Sequence, residues 1–259
     1  LCILVAGVRW PVHITDRDGV QTVVVAWWLS KKALAPARRE LLIAFLMVAL
    51  PSLLILGQPD LGTSLLVAIS GLSVIFMAGI QWRYILSMLF LIGLSIWPAW
   101  LFVLKDYQKQ RVLTLFNPES DRLGAGWNII QSKTAIGSGG WEGLGWTQGS
   151  QAQLDFLPEG HTDFIIAVLA EEFGFRGVAL LFLLYALILV RGLIISWRAQ
   201  SSFARLLAGA LIATFFFGLI VNLGMVSGLL PVVGVPLPMV SWGGTAMVSM
   251  MIAFGMLMG

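Results

Sequence analysis

Apolar runs of membrane-spanning length dominate this chain: residues 41–56, 64–80, 84–104, 177–195, 206–230 and 240–258. A helix needs about 20 predominantly apolar residues to cross the hydrocarbon core of a bilayer. The first run is short and must tilt or borrow flanking residues. Lipid offers the backbone no hydrogen-bond partners, so a single apolar run can only satisfy its own groups as a helix. The expected fold is therefore all-α, a polytopic membrane helix bundle forming one domain over residues 1–259. Charged residues make up 11% of the chain, where a soluble domain carries roughly 25%. That difference excludes a water-soluble fold.

Residues 1–8 and 20–29 are apolar but too short to assign, and His13, Asp16, Arg17 and Asp18 make the N-terminal region the least membrane-like part. Residues 1–26 are set apart as an atypical segment. No basic region precedes the first apolar residues, so no cleavable signal peptide is read. The chain starts at Leu1 and stops within an apolar run, and it is read as a fragment. Cys2 is the only cysteine, which excludes an intrachain disulfide and a thiolate metal site. The net charge of +3 requires no nucleic acid, because basic residues orient membrane proteins.

The basic residues alternate with the spans. Lys31, Lys32, Arg38 and Arg39 precede the first run, Arg83 lies two connections later, and Arg191, Arg198 and Arg205 follow the fourth. These regions share one side, which the positive-inside rule makes cytoplasmic. The outer side then receives residues 58–63, the long loop 105–162 and the connection 231–238. The loop carries Trp127, Trp141, Trp146 and Phe156 among many glycines, with a short helix expected over 128–135. Long loops in compact proteins are usually functional, and a partly ordered extracytoplasmic cap is expected.

Polar chemistry gathers on that outer side. Residues 157–164 read Leu-Pro-Glu-Gly-His-Thr-Asp-Phe and place Glu159, His161 and Asp163 at a membrane boundary. Asp163 opens an apolar stretch, where Thr162 as N-cap and an acid facing the helix dipole would make a good helix start. The alternative is a general base whose basicity is tuned by burial and by Glu159 and His161. Glu171 and Glu172 follow; adjacent acids cannot share one helix face, so one is expected to meet water or a basic partner, with a cavity role open for Glu171. Asp60, between Pro59 and Gly62, caps the next helix or faces the site. Lys105, Lys109, Arg111, Arg122 and Lys133 suit either surface ion pairs with Asp106, Glu119 and Asp121 or a lipid-borne phosphate. Residues 231–244 read Pro-Val-Val-Gly-Val-Pro-Leu-Pro-Met-Val-Ser-Trp-Gly-Gly. Such broken backbone at membrane depth is tolerated only when buried in protein or lining a wet cavity, which brings Ser241, Gly243 and Gly244 into the candidate site.

Residues 222–246, from Asn222 through Ser241-Trp242-Gly243-Gly244 to Ala246, resemble the signature of the shape, elongation, division and sporulation family. Trp242 stands where that signature more often has Tyr. Residues 58–64, 116–135 and 157–164 are similar to its elongation branch. The likeness runs from about Trp27 to the C-terminus. Upstream it fails: residues 13–22 hold no Gln-Pro-Ser-Glu element of the kind the family carries there.

The resemblance implies a peptidoglycan glycosyltransferase of the bacterial inner membrane that polymerises lipid II during cell elongation. It implies Asp163 as the catalytic base. Asp60, Arg111, Arg122, Lys133, Glu159, His161, Thr162, Glu171, Ser241, Gly243 and Gly244 become candidates for substrate binding. The implied partners are lipid II and the lipid-linked glycan, a class B penicillin-binding protein and the elongation machinery. A divalent cation could assist, but no dedicated metal cage is readable in the sequence. A lipid II flippase and a non-catalytic scaffold are the rival readings; the clear spans lack the chain of ionisable residues that a transport path would use.

Overall fold

The computed structural model describes residues 3–5, 8–10, 17–31, 37–57, 61–98, 100–101, 106–121, 124–154 and 156–258. Apart from an antiparallel pair, β1 (Ile3–Val5) and β2 (Val8–Trp10), the described elements are helical. They are α1 (Arg17–Ser30), α2 (Arg38–Leu56), α3 (Leu61–Met77), α4 (Trp82–Pro98), α5 (Asp106–Phe116), α6 (Ala125–Gly139), α7 (Ser150–Gln153), α8 (Ile165–Arg198), α9 (Ser202–Val226) and α10 (Gly244–Met258). The all-α expectation holds. Helices α2, α8 and α9 are long and apolar enough to cross a membrane, while Val20–Ser30, Leu61–Met77 and Ala246–Met258 are shorter apolar helices.

Several boundaries differ from the sequence reading. Of the apolar run 84–104, α4 covers the residues to Pro98, while the run 206–230 forms helix only to Val226 and the run 240–258 only from Gly244. Proline and glycine explain the last two, because residues 227–243 cannot hold a regular helical ladder through Gly228, Pro231, Gly234, Pro236 and Pro238. The stretch 20–29 belongs to α1, and the short helix expected over 128–135 extends to Ala125–Gly139.

Contacts divide the chain into two compact units. The first comprises Leu1–Gly79, Ile188–Gly218 and Gly243–Gly259; the second comprises Ile80–Leu187 and Leu219–Trp242. In the first, α1, α2 and α3 pack on one another around Val25, Val48, Val67 and Val74, all buried. Ser64 Oγ donates to the Ser52 carbonyl at 2.8 Å, joining α3 to α2. Small residues at crossings let backbones approach closely, as expected where lipid supplies no hydrophobic drive between helices. A second cluster of the same unit packs Ala208, Ile212 and Leu257 with Leu189 and Phe254.

Within α8 the backbone of Gly174 is non-helical; the part beyond it, residues 175–198, runs about 36 Å at 1.5 Å per residue, enough to cross a hydrocarbon core of about 30 Å. Its exposed residues Leu180, Leu183, Leu184 and Leu187 recur at three- and four-residue spacing, a stripe suited to lipid. Trp82 and Trp97 are exposed near the two ends of α4, about 22 Å apart along the axis.

In the second unit the described part of the long loop is ordered against its neighbours. The 3-10 turn Pro118–Ser120 is closed against α6 by Trp127 N–H donating to the Asp121 carbonyl at 3.1 Å. Trp127 Nε1 donates to the Phe156 carbonyl at 2.8 Å, and Ser132 Oγ donates to the Val226 carbonyl at 2.9 Å. The loop then clasps α8 where Gly174 (φ 63°, ψ −164°) breaks the helix. Leu144 and Gly145 N–H donate to the carbonyls of Glu171 and Glu172, while Phe175 and Arg176 N–H donate to those of Gly140 and Trp141.

The same clasp corrects the reading of the two acids. Neither Glu171 nor Glu172 faces water; both are buried. Glu171 Oε1 accepts from Gln151 N–H at 3.0 Å and Ser150 Oγ at 3.4 Å, and Glu172 Oε1 accepts from Thr147 N–H at 3.1 Å. Burying an ion is tolerable only with such partners. Here the partners are loop backbone donors that a reading of one helix face could not include.

Candidate active site

Asp163 lies in the turn 158–164 that delivers the chain into α8. The turn is closed by Gly160 N–H to the Leu157 carbonyl and by Thr162 and Phe164 N–H to the Glu159 carbonyl. Thr162 does not cap α8 as expected: the helix begins at Ile165 and the Thr162 hydroxyl donates back to the Glu159 carbonyl at 3.3 Å. Asp163 still sits just ahead of the helix N-terminus, where the dipole favours an anion. Burial opposes that preference. Desolvation, then the Glu159 carboxylate, then a hydrogen bond with Glu159 raise its pKa from 3.8 to about 6. The carboxyl is thus half-buried, paired with a second acid and titrates near neutrality, the range in which a general base works best.

Residues 227–243 form the other wall. They contain no helix, as the prolines and glycines implied, with Gly234 at φ 73° and Met239 at φ 66°. The turn and this segment are bonded together at successive points. Trp242 N–H donates to the His161 carbonyl at 3.1 Å. Ser241 Oγ donates to the Thr162 carbonyl and accepts from Leu237 N–H at 2.7 Å. Asn222 Nδ2 donates to the carbonyls of Asp163 at 2.8 Å and Val235 at 2.7 Å. Tyr185 on α8 donates its hydroxyl to the Pro238 carbonyl at 2.6 Å. A Cβ on Gly234 would lie 3.4 Å from Asp163 Oδ2, so the backbone of the segment abuts the carboxylate.

Of the residues expected at the site, the structure brings Asp163, Glu159, Thr162, His161 and Ser241 together. His161 enters through its backbone carbonyl, and Glu159 is the neighbour that shifts Asp163. Glu171 is committed to the loop clasp. Arg111 is half-buried on α5, and Lys133 on α6 runs its side chain against Gly228, where a Cβ would meet Nζ at 2.7 Å. Among the described residues neither cation has an ion pair; the loop's ion pair is Arg176–Glu142 at 2.9 Å, on the surface. Asp60 and Arg122 lie outside the described residues. A Cβ on Gly244 would meet nothing within 4 Å, and one on Gly243 only Ala246 at 3.6 Å. Gly234 is the constrained glycine. Sequence reasoning passed over it, along with Asn222 and Tyr185; a lone amide inside the run 206–230 was the available signal.

An apolar cavity of about 230 Å³ lies in the same unit, lined by Ile136, Ile166, Ala170, Phe182, Leu223 and Val226 among others. Among the described residues no three His, Cys, Asp or Glu side chains gather to hold a metal ion.

The site sets the half-buried Asp163, with the exposed Glu159 beside it, against a broken, proline-rich segment of a helical membrane protein. This chain belongs to the family of cell cycle proteins comprising FtsW, RodA and SpoVE, whose model matches residues 20–259. The match begins upstream of Trp27, where the likeness read from motifs started. The peptidoglycan glycosyltransferase MrdB of Escherichia coli is 52% identical over 236 residues, covering 91% of this chain and 64% of that protein. Stage V sporulation protein E of Bacillus subtilis is 37% identical, covering 88% of this chain and 62% of that protein. The chain thus spans less than two thirds of the length of these relatives. Among solved structures, a chain described under "Structural coordination of polymerization and crosslinking by a peptidoglycan synthase complex" aligns with a TM-score of 0.78 at 28% identity, covering 99% of this chain and 74% of that one. The rod shape determining protein RodA of Thermus thermophilus aligns with a TM-score of 0.60 at 24% identity and shares the fold.

Proposed function

We propose that this chain carries the catalytic centre of a peptidoglycan glycosyltransferase that polymerises lipid II during cell elongation. The observation that carries this reading is the half-buried Asp163, raised toward neutrality beside Glu159 and abutting the backbone at Gly234. The acceptor is a sugar hydroxyl; the donor is a glycan whose anomeric carbon bears a lipid-linked pyrophosphate. As the acceptor oxygen bonds to that carbon, Asp163 takes the hydroxyl proton and the carbon–oxygen bond to the pyrophosphate breaks with inversion. Arg111, Arg122 and Lys133 offset charge on the leaving group. Membrane depth and the neighbouring apolar cavity suit a lipid-anchored substrate. The natural partner is a class B penicillin-binding protein within the elongation machinery, and the site faces the periplasm of the bacterial inner membrane.

Because the chain spans 64% of the Escherichia coli relative, the assay uses a chimera joined to the N-terminal segment of that protein. Purified chimera is given lipid II, and polymer is read on a gel between about pH 5 and 8. Only ionised Asp163 accepts a proton, so the rate is expected to fall about tenfold for each pH unit below about 6. A rate that stays flat from about pH 7 to 5 would remove Asp163 as the base.

Orientation is tested separately. With Cys2→Ser as background, Pro236→Cys in intact spheroplasts is expected to react with an impermeant thiol reagent, whereas Arg83→Cys and Arg198→Cys react only after lysis. External labelling at position 198 would overturn the periplasmic assignment.

A further inference from the structure

We propose that Asn222 is the positioning residue of Asp163, a side chain that ties the backbone of Asp163 to the segment that faces its carboxylate. The inference rests on the reading of Asp163 as the base. Asn222 stands in α9, fully buried within an otherwise apolar helix. An amide is costly there unless its polar atoms are used. Only one end of it is used: both hydrogens of Nδ2 are spent on carbonyls, those of Asp163 at 2.8 Å and Val235 at 2.7 Å. Oδ1 is buried and has no partner among the described residues. The orientation is unambiguous, because turning the amide over would set its oxygen against two carbonyl oxygens.

What the two bonds connect gives the amide its role. One end holds Asp163 through its own backbone. The other holds Val235, next to Gly234, where an added Cβ would lie 3.4 Å from Asp163 Oδ2. Gly234 itself has a φ of 73°, a conformation that favours glycine. Asn222 therefore sets the gap between carboxylate and segment from a third element, 59 residues away from Asp163 in sequence. The neighbouring ties, Ser241 to the Thr162 carbonyl and Trp242 N–H to the His161 carbonyl, act on the two preceding residues. They hold the turn in place without fixing the carboxylate's own residue. Losing the amide leaves the turn attached but lets Asp163 shift and hydrate beside Glu159. A displacement of about 1 Å at a reacting group costs on the order of 10²-fold in rate.

The experiment measures kcat, KM for lipid II and the pH dependence of polymerisation in the chimera, for Asn222→Leu, Asn222→Ser and Asn222→Gln. Asn222→Leu is expected to lower kcat about 10²-fold, with KM within about twofold and the acid limb of the profile moved to lower pH. Asn222→Gln keeps both donors and is expected to recover part of kcat and to return the limb toward its original position. Asn222→Ser keeps one donor and supplies the reading if Asn222→Leu fails to fold. A folded variant with unchanged kcat, or one whose loss matches its loss of folded protein while the acid limb stays in place, overturns the proposal. Asp163→Asn is assayed in parallel. If it polymerises lipid II, the base reading fails and this inference with it. If it is inactive and the Asn222 variants are not shifted, the positioning role alone fails.

Discussion

Asp163→Asn is expected to leave the chimera folded and inserted but unable to polymerise lipid II. Removing a positioned general base costs typically 10²–10⁴-fold in rate. Asn keeps the shape of the side chain and serves a helix N-terminus about as well as Asp, so a purely structural role predicts almost no change. The stability comparison runs the other way from the usual loss on mutating a buried acid. In the folded protein the carboxyl titrates at about 6, above its ordinary value of 3.8. Between those values the folded state binds the proton and the unfolded state does not, so stability declines as pH rises through that window. Above it, the ionised Asp163 remains a destabilising group that Asn lacks. At about pH 7.5, Asp163→Asn should therefore melt no lower than the parent. A variant that melts well below the parent and retains proportionate activity would assign Asp163 to the fold rather than to the chemistry.

The second large effect is expected at Gly143, far from the chemistry. This residue has φ 80°, and an added Cβ would overlap the carbonyl oxygen of Glu172. Neither side of that clash is a flexible side chain, because Leu144 and Gly145 N–H are bonded to the carbonyls of Glu171 and Glu172. Gly143→Ala is expected to cost at least ~3 kcal/mol, the sum of left-handed strain and lost loop–helix bonds. The readout is a lowered melting temperature, with protease cleavage appearing between α6 and α7. Gly137→Ala is the control: Gly137 lies within α6 with nothing within 4 Å of its added Cβ. There the change should be neutral or stabilising by ~0.5–1 kcal/mol. Equal effects at the two positions would show that the clasp does not hold the loop.

The membrane helices were legible from the chain because lipid imposes a local rule. Each segment must satisfy its own backbone, so residues such as 41–56 and 177–195 carry their own evidence. The broken stretch 231–244 was legible for the opposite reason, since prolines and glycines forbid a ladder wherever they fall. Its detailed burden was not. Gly243 and Gly244 stood out in sequence, yet Gly234 is the glycine that abuts Asp163. Any of the three tolerates an open turn, and only the fold decides which one has a carboxylate beside it. Thr162 read as an N-cap because capping is local, but its hydroxyl was taken by the Glu159 carbonyl of the preceding turn.

By itself, then, the sequence determined that this chain lies in a membrane, where its polar turn falls, and that Asp163 and Glu159 share it. These follow from apolar length, charge placement and residue types within five positions of each other. Tertiary structure decided what each acid does. Glu171 and Glu172 were withdrawn from water because the backbone of residues 147 and 151 reaches them. Asp163 was left half-buried because Asn222, Ser241 and Trp242, remote in sequence, close the Pro-rich segment onto its turn. Desolvation depends on everything that surrounds a group and not on its neighbours along the chain. That is why the place of Asp163 was readable in one dimension and its burial only in three.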